Sequence, residues 1–541
     1  MSQPAFHPLD EQLASLMYRL AGSADVDGLG ALVRHVSART REGVIAAPLA
    51  DLPDIDLASL QDSPVVGQPG DYKPLIVEDG HAWLYRYWQY EERLAGCIRS
   101  RLAPASSVLL PSPLAGEGLG MGGILPSFLI ISGGPGTGKT TTVTRILAHL
   151  LEQGTRPERI LLAAPTGKAA MRMQESIRET KQRLALPAAI AETIPDQAST
   201  LHRLLGYIPN RVGFRHHAAN PLPADVVIVD EASMIDISLM THLFEAVPPQ
   251  ARLVLLGDKD QLASVETGSI FRDLCSGPAL AGNMVVLHKS HRFTEEDGIG
   301  QLAQAIRAAD EERMLVVLDS AHYPDVSLDD TGAGLDAGRL RDGWETYVQA
   351  VQAGDHASTF SAFNELRLLT PLRKGRQGVE TLNAWADGVM QKRLPASSVS
   401  RPWYVGRPVM VTQNDYRQNL FNGDIGIALP AASGELRVWF PTGEEGNFRA
   451  VAPIRLPAHE TAWAMTIHKS QGSEFRHVLL ILPEMEDLPL LGRELLYTAI
   501  TRAKSGIHIL ASRATLRRAL RQVTPPSSRL QERLLASPAD S

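Results

Sequence analysis

Residues 128–141, FLIISGGPGTGKTT, decide how the rest of the chain is read. Phe128-Leu129-Ile130-Ile131 is an apolar run of the length of a buried strand. After Thr141 come Val143, Ile146, Leu147, Leu150 and Leu151, one apolar face at helical spacing, closed by Gly154. Strand, glycine loop and helix form the setting in which a GxxxxGK[ST] sequence binds phosphate. Glycines let backbone N–H groups crowd around an anion, and the helix N-terminus adds partial positive charge. The candidate nucleotide-binding residues are Gly133, Gly134, Pro135, Gly136, Thr137, Gly138, Lys139, Thr140 and Thr141. Lys139 is placed to reach the β- and γ-phosphates of ATP, and Thr140 to hold Mg²⁺. The plain alternative is a glycine-rich turn before a core helix, and both flanks speak against it.

A chain of 541 residues predicts several domains. It is 44% hydrophobic and 21% charged, within the ordinary range for globular proteins. A net charge of −7 excludes a general basic coat, so contact with nucleic acid must be local, in a channel or cleft. Cys97 and Cys275 are far apart, which gives no disulfide framework and no zinc spacing and suits a reducing cytosol. The start, MSQPAFHPLDEQ, lacks the features of a secretory signal, and no apolar run is long enough to span a membrane. A cytoplasmic location is expected.

Taken in order, residues 1–103 read as a small, mostly helical domain. Leu13, Leu16, Met17 and Leu20 have helical spacing, and the Asp79-Gly80 turn suggests a hairpin. Trp83, Tyr85, Tyr87, Trp88 and Tyr90 form an aromatic patch, read either as local core or as a face toward a partner protein. Residues 104–127 are rich in Gly, Pro and Ser and read as a linker or insertion. From 128 to 290, strands at Ile160–Ala164, Val226–Val229 and Leu253–Leu256 alternate with helices, which predicts a parallel sheet covered on both faces. A second α/β unit, 291–522, has strands at Leu368–Thr370, Val478–Leu482 and Ile507–Leu510 and no phosphate loop. Within it, about 400–460, short β runs separated by Asn422-Gly423 and Ser433-Gly434 suggest a small β-barrel insertion. Residues 523–541 are polar and Pro/Ser-rich, and predict a flexible tail.

Asp230-Glu231 follows a strand opposite the phosphate loop. That suits a metal ligand, Asp230, and a residue that orients or deprotonates water, Glu231. Alone, the pair could equally cap a helix. Gln261, just past the next strand, is placed to sense a γ-phosphate. Arg292 and Arg502 are candidates to stabilise a departing phosphoryl group, supplied from the second unit so that hydrolysis requires the two units to close. Thr166 and Lys168, Thr200 and His202, and Thr466 and His468 sit in three segments of one texture. Each offers hydroxyls, backbone amides and a basic group after an extended run, which suits contact with a single-stranded phosphate backbone.

In sequence order, GGPGTGKTT, APTGKAA, STLHRLLG, VIVDEASM, LLGDKDQL, LHKSHRF, AWAMTIHKSQGSEF and LLYTAITRAK resemble the motifs of superfamily 1 DNA helicases over about 128–515. The chain looks most like the RecD branch, the α chain of exodeoxyribonuclease V (RecBCD). The resemblance implies two RecA-like domains of the P-loop NTPase fold, with an SH3-like barrel inserted in the second. It implies ATP and Mg²⁺ as cofactors, 5′→3′ movement on single-stranded DNA entered at duplex ends, and RecB-type and RecC-type partners. It assigns Lys139 and Thr140 to phosphates and metal, and Asp230 and Glu231 to metal and water. Gln261, Arg292 and Arg502 go to the γ-phosphate, and Thr166, Thr200, His202, Thr466 and His468 to DNA. Glu474 falls where relatives contact nucleotide or DNA near the cleft. HAWLYRYWQYEERLA, 81–95, is similar to the RecD region that packs on the RecC-type subunit. Residues 207–222 match the place of a strand-separating hairpin, or form an ordinary surface loop.

One departure has a consequence. Relatives carry a glutamine that reads adenine shortly before the phosphate-loop strand. Here no glutamine lies between Gln89 and Lys139, which predicts weak base discrimination in an ATP/GTP competition assay. Two other readings compete with a RecBCD-type motor subunit. A stand-alone RecD-like helicase would usually have a longer N-terminal region with helix–hairpin–helix elements. A nucleotide-binding scaffold with little turnover fits poorly with intact Glu231, Arg292 and Arg502. Nuclease activity is not expected in this chain, because no separate acidic metal cluster is apparent.

Overall fold

The computed structural model describes residues 6–536 except 23–27, 53–54, 61–62, 103–124, 185, 209–212, 264–267, 294–295, 333–334, 396–401, 416, 443–445 and 485–490. Among the described residues the strands form four sheets.

The N-terminal sheet contains β1 (Ala47–Pro48), β2 (Val66–Gly67), β3 (Leu75–Glu78) and β4 (His81–Leu84), ordered β1-β4-β3-β2. The expected hairpin is β3–β4, turning at Asp79 and Gly80, both with positive φ. A short sheet thus accompanies the helices that make up most of this region. Helices Pro8–Ala21 and Leu29–Arg41 pack with the sheet around Leu29, Leu32, Val33, Leu75 and Ala82. Strands of two residues, such as β1 and β2, carry no readable period, so the sequence could not reveal them.

The first large sheet holds β5 (Phe128–Gly133), β6 (Ile160–Ala164), β7 (Ala198–Thr200), β8 (Val226–Val229), β9 (Arg252–Gly257) and β10 (Met284–Leu287). Its order is β10-β5-β9-β8-β6-β7, and every pairing is parallel. β5 and β8 are buried along their whole length, as continuous apolar runs require when helices cover both faces. One face packs on the phosphate-loop helix Lys139–Glu152 through Val143, Ile146, Leu147 and Leu150. The other shares a core with helix Tyr85–Arg101 through Tyr90, Leu94 and Ile98. That helix is fixed to the first unit by Arg93, bidentate to Glu245 at 2.7 and 2.6 Å, and by Arg101, which donates to the carbonyls of Val247, Pro248 and Ala251. The aromatic patch is partly internal: Trp83 is fully buried and Tyr90 packs edge-on against His242, while Tyr85, Tyr87 and Trp88 are half-buried.

The second large sheet holds β11 (Val326–Asp329), β12 (Leu366–Thr370), β18 (Ala464–Thr466), β19 (Phe475–Ile481) and β20 (Ala503–Leu510), ordered β11-β20-β19-β12-β18 and all parallel. Between β12 and β18 run β13 (Pro408–Val411), β14 (Ile425–Pro430), β15 (Leu436–Pro441), β16 (Phe448–Val451) and β17 (His459–Thr461). They form an antiparallel sheet ordered β16-β15-β14-β13-β17, with its own core of Val409, Val411, Ala428, Val438 and Phe440.

Two expectations concern segments at the edges of these units. Most of 104–127 lies outside the described residues. The tail expected to be flexible from 523 is docked as far as 536. Leu530 is fully buried, the hydroxyls of Ser527 and Ser528 donate to Asp273 at 2.6 Å, and helix Leu530–Leu535 joins the core of the first unit. Its polar composition misleads because those polar groups have partners inside the fold.

Candidate nucleotide cleft and nucleic-acid interface

β5 delivers Gly133 to the C-terminal edge of the first sheet, and the helix after the loop starts at Lys139. Gly136 and Gly138 have φ of 74° and 84°, a region that favours glycine. The loop is enclosed on several sides. A Cβ at Gly133 would sit 2.5 Å from the Thr137 hydroxyl, one at Gly134 2.6 Å from the Tyr497 hydroxyl, and one at Gly136 2.3 Å from Cβ of Arg292. A cradle with room only for backbone suits an anion held by N–H groups. Lys139 Nζ donates to the carbonyls of Gly133 and Gly134, at 2.5 and 3.1 Å, so its ammonium lies over the loop. The Thr140 hydroxyl has no hydrogen-bond partner among the described residues. It and the Asp230 carboxylate are hard-oxygen donors of the kind that Mg²⁺ takes.

Asp230 and Glu231 follow β8, and Asp258 and Gln261 follow β9, the strand between β8 and β5. Burial, and then the neighbouring Glu231, push the Asp230 carboxyl up to about 6, against the pull of Lys139. Glu231 is held in the left-handed region, φ 53° and ψ 38°. For a non-glycine residue this costs on the order of 1 kcal/mol and marks a position whose direction the surroundings dictate. Gln261 donates to Asp258 at 3.0 Å, and the Tyr497 hydroxyl donates to the same oxygen at 3.2 Å. Burial raises the Asp258 carboxyl, and Lys139 opposes that.

The second unit closes on this edge. Thr498 accepts from the Leu262 amide at 2.7 Å, and Gln471 donates to the Leu262 carbonyl at 2.6 Å. The segment after β10 lies on the phosphate loop, with the His291 amide bonded to the Gly136 carbonyl at 2.8 Å. Arg292 reaches Glu474 at 2.9 Å and donates to the Ala503 carbonyl at 2.8 Å. Arg502 is buried, donating to the carbonyls of Thr498 and Ser473, each at 3.1 Å. Burial lowers its pKa, while Glu231 and Glu474 raise it. Lys139, Thr140, Asp230, Glu231, Gln261, Arg292 and Arg502 thus converge on one cleft between the two large sheets. Sequence reasoning missed Tyr497, Asp258, Arg172 and Lys504 here. Tyr497 lies inside a quoted motif, yet only packing shows its ring against the loop.

The nucleic-acid candidates form two groups. Ala164 pairs with Thr200, so Thr166 and Thr200 follow adjoining strands, with β7 at the sheet edge. Both hydroxyls cap helices, Thr166 accepting from the Ala169 amide at 3.2 Å and Thr200 from the Arg203 amide at 3.3 Å. Lys168 makes no hydrogen bond among the described residues. Burial, then Arg367 and Arg172, lower its pKa to about 8, with Asp424 opposing. His202 is exposed and meets Tyr207 and Phe214 edge-on, at 6.0 and 5.7 Å. An antiparallel bridge between Tyr207 and Phe214 closes the segment expected to be a hairpin, whose residues 209–212 lie outside those described. The second group, Thr466 and His468, sits at the end of edge strand β18 in the other unit. There Thr466 accepts from the Lys469 amide at 3.2 Å, and burial lowers the pKa of His468. The insertion reaches the first group: Phe421 lies against Gly167, where a Cβ would be 3.4 Å from its ring.

The chain matches the AAA domain family over 123–267 and the UvrD-like helicase C-terminal domain over 461–510. It is 40% identical over 522 residues to the RecBCD enzyme subunit RecD of Mycolicibacterium smegmatis, covering 92% of this chain and 90% of that one. The chain belongs to the RecD family. Another RecD family relative, the RecBCD enzyme subunit RecD of Haemophilus influenzae, is 35% identical, covering 84% of this chain and 80% of its own. The ATP-dependent RecD2 DNA helicase of Deinococcus radiodurans is 34% identical over 70% of this chain, but only 46% of its own length is covered. Membership in the RecD family accords with two parallel sheets of the P-loop NTPase kind and with nucleotide use. Among the described residues no helix is long and apolar enough to cross a membrane.

Proposed function

We propose that this chain is the ATP-driven 5′→3′ DNA helicase subunit of a RecBCD-type exodeoxyribonuclease V. It acts in the cytoplasm with RecB-type and RecC-type subunits, in double-strand-break repair by homologous recombination and in degradation of linear duplex DNA. The observation that carries this reading is the meeting of the phosphate loop, Asp230, Glu231 and Gln261 with Arg292 and Arg502 in one cleft. The near end-to-end match to two RecBCD subunits favours it over the stand-alone reading, since less than half of the RecD2 helicase is matched.

In this reading ATP with Mg²⁺ supplies the phosphoryl group whose hydrolysis drives movement. Lys139 and the loop amides would bind its phosphates, and Thr140 and Asp230 would hold the metal, which would offset phosphate charge there. Glu231, fixed in direction by its backbone, orients water and takes its proton. Gln261, braced by Asp258, reports the state of the γ-phosphate to the second unit through the Asp258–Tyr497 contact. Arg292 and Arg502 offset charge on the phosphoryl group only when the units are closed. Thr166, Lys168, Thr200 and His202 grip the DNA backbone from one unit, and Thr466 and His468 from the other. Alternating closure then moves the strand. The hairpin at 207–222 parts the strands, and nuclease chemistry belongs to the RecB-type partner.

The test is ATP hydrolysis by the purified chain, alone and with RecB- and RecC-type partners, with and without a single-stranded oligonucleotide. Strong DNA stimulation that disappears in Lys139→Gln is the expected result. Absence of turnover in every combination would instead favour a scaffolding subunit.

A further inference from the structure

Glu474 precedes β19 and holds the centre of a cationic cluster. Its Oε1 forms ion pairs with Arg292, at 2.9 Å, and with Arg172, while Oε2 lies 3.3 Å from Lys504 Nζ. Burial would raise this carboxyl, but Arg172, Arg292 and Lys504 outweigh it and bring it to about 2. One carboxylate therefore serves three cations, with the Arg502 guanidinium bonded to the adjacent Ser473 carbonyl. Arg292 Nε and Nη1 are buried with no hydrogen-bond partner among the described residues, so the guanidinium is held to Glu474 by charge alone. The cluster has spare positive charge at the place assigned to the γ-phosphate.

Arg172 differs from the other two cations in its origin. It comes from the first unit, on helix Gly167–Arg183, which Thr166 caps. Residues four apart on a helix share a face about one turn apart, so Arg172 lies one turn beyond Lys168. It also donates to the Gly472 carbonyl at 3.4 Å. One rigid turn thus has a candidate DNA-backbone cation at one end and, at the other, a guanidinium on the carboxylate that holds Arg292. Because Arg172 and Arg292 share one oxygen of Glu474, a shift of the helix start alters the hold on Arg292.

We propose that Arg172 is a positioning residue that, through Glu474, couples single-stranded DNA at Thr166 and Lys168 to the engagement of Arg292 with the γ-phosphate. This rests on the reading of the chain as a DNA-dependent ATPase. DNA seated on the start of the helix holds the Arg172–Glu474 pair in place, and Arg292, which shares that carboxylate oxygen, is released to the phosphate. By thermodynamic reciprocity, nucleotide engaged by Arg292 changes the affinity for DNA by the same factor.

The experiment measures the Kd of the full chain for a fluorescent single-stranded oligonucleotide, with and without the magnesium complex of a non-hydrolysable ATP analogue. The ratio of the two values is the coupling factor. For the unaltered chain a ratio of about fivefold or more from unity is expected. In Arg172→Gln the ratio falls to within about twofold of one, Glu474→Gln gives the same collapse, and Arg172→Lys restores part of it. A merely structural role lowers the thermal midpoint without moving the ratio. An unchanged ratio in Arg172→Gln, or DNA affinity lost equally in both nucleotide states, overturns the proposal. If the unaltered chain binds no single-stranded DNA either alone or with RecB- and RecC-type subunits, the motor reading itself fails, and the inference with it. If it binds DNA with a ratio of one, the inference alone fails.

Discussion

At the scale of single residues, Lys168 and Asp230 are held away from their ordinary ionisation, and the causes give signs that can be measured. The Lys168 ammonium is crowded by burial and by Arg367 and Arg172, so it loses its proton near pH 8 rather than above 10. A neutral amine attracts no phosphate. Affinity for single-stranded DNA is therefore expected to fall roughly tenfold between pH 7 and 9, with Lys168→Arg flat across that range in a fluorescence titration. Asp230 carries the opposite tension. Its folded pKa is raised from 3.8 to about 6, so its contribution to stability is complete below pH 3.8 and is lost as pH rises through 6. Asp230→Asn mimics the protonated form at every pH. Its melting temperature should match the unaltered chain near pH 4 and exceed it by about 3 °C above pH 7, while magnesium-dependent ATP hydrolysis is abolished. Equal melting curves at pH 7 would mean that the carboxylate is not destabilised there. These residues were legible from motif context, because a strand followed by two acids is a local pattern. Their energetic state was not, since burial is set by chain segments far away.

Among the elements, the segment 523–536 acts as a strap. It leaves the helix Arg513–Arg521 of the second unit, bonds Ser527 and Ser528 to Asp273 of the first, and ends on the N-terminal region. There Arg533 pairs with Glu78, Glu91 and Glu92 and lies 5.5 Å from the Trp83 ring. Glu91 is fully buried. Removing one partner of a buried pair costs roughly 3–5 kcal/mol, because the other charge stays behind. Arg533→Ala should therefore speed proteolysis of the N-terminal region and lower the unfolding midpoint. Glu91→Gln added to it should restore part of the loss. The sign with pH follows from burial, which raises the Glu91 carboxyl, opposed by Arg533. Without Arg533 the carboxyl takes up a proton more readily, so the deficit narrows as pH falls. Composition made this segment look frayed, since Ser, Pro and Arg are ordinary in exposed tails. Arg533 and Glu91 are 442 residues apart, and nothing local announces their pairing.

For the whole molecule, the decisive feature is how closely the second unit seats on the phosphate loop. The Tyr497 hydroxyl occupies the space beside Gly134 and donates to Asp258. A methyl group at Gly134 would stand 2.6 Å from that hydroxyl, closer than the atoms permit, and would push helix Arg493–Ile500 away with Arg502 behind it. Gly134→Ala is expected to reduce kcat for ATP about tenfold or more, as a misplacement near 1 Å does. The effect on KM should be smaller, because Lys139 is untouched. Tyr497→Phe, which deletes the obstructing oxygen, should return part of the rate to Gly134→Ala. No rescue would show that the loss arises within the loop rather than from the seating of the units.

Sequence alone determined the phosphate loop, the acids after β8, the two parallel α/β units and the order of the motifs. Each of these is written in a short window, where glycine conformation, apolar runs and helical spacing act between near neighbours. It also located Arg292 and Arg502, although only as members of motifs. Tertiary structure alone decided that Glu474 gathers Arg172, Arg292 and Lys504, that Tyr497 fills the space over Gly134, and that the last helix bolts the N-terminal region to the motor. Those are pairings of charges and surfaces brought together by folding. Their strength depends on burial and on distances that no spacing along the chain encodes.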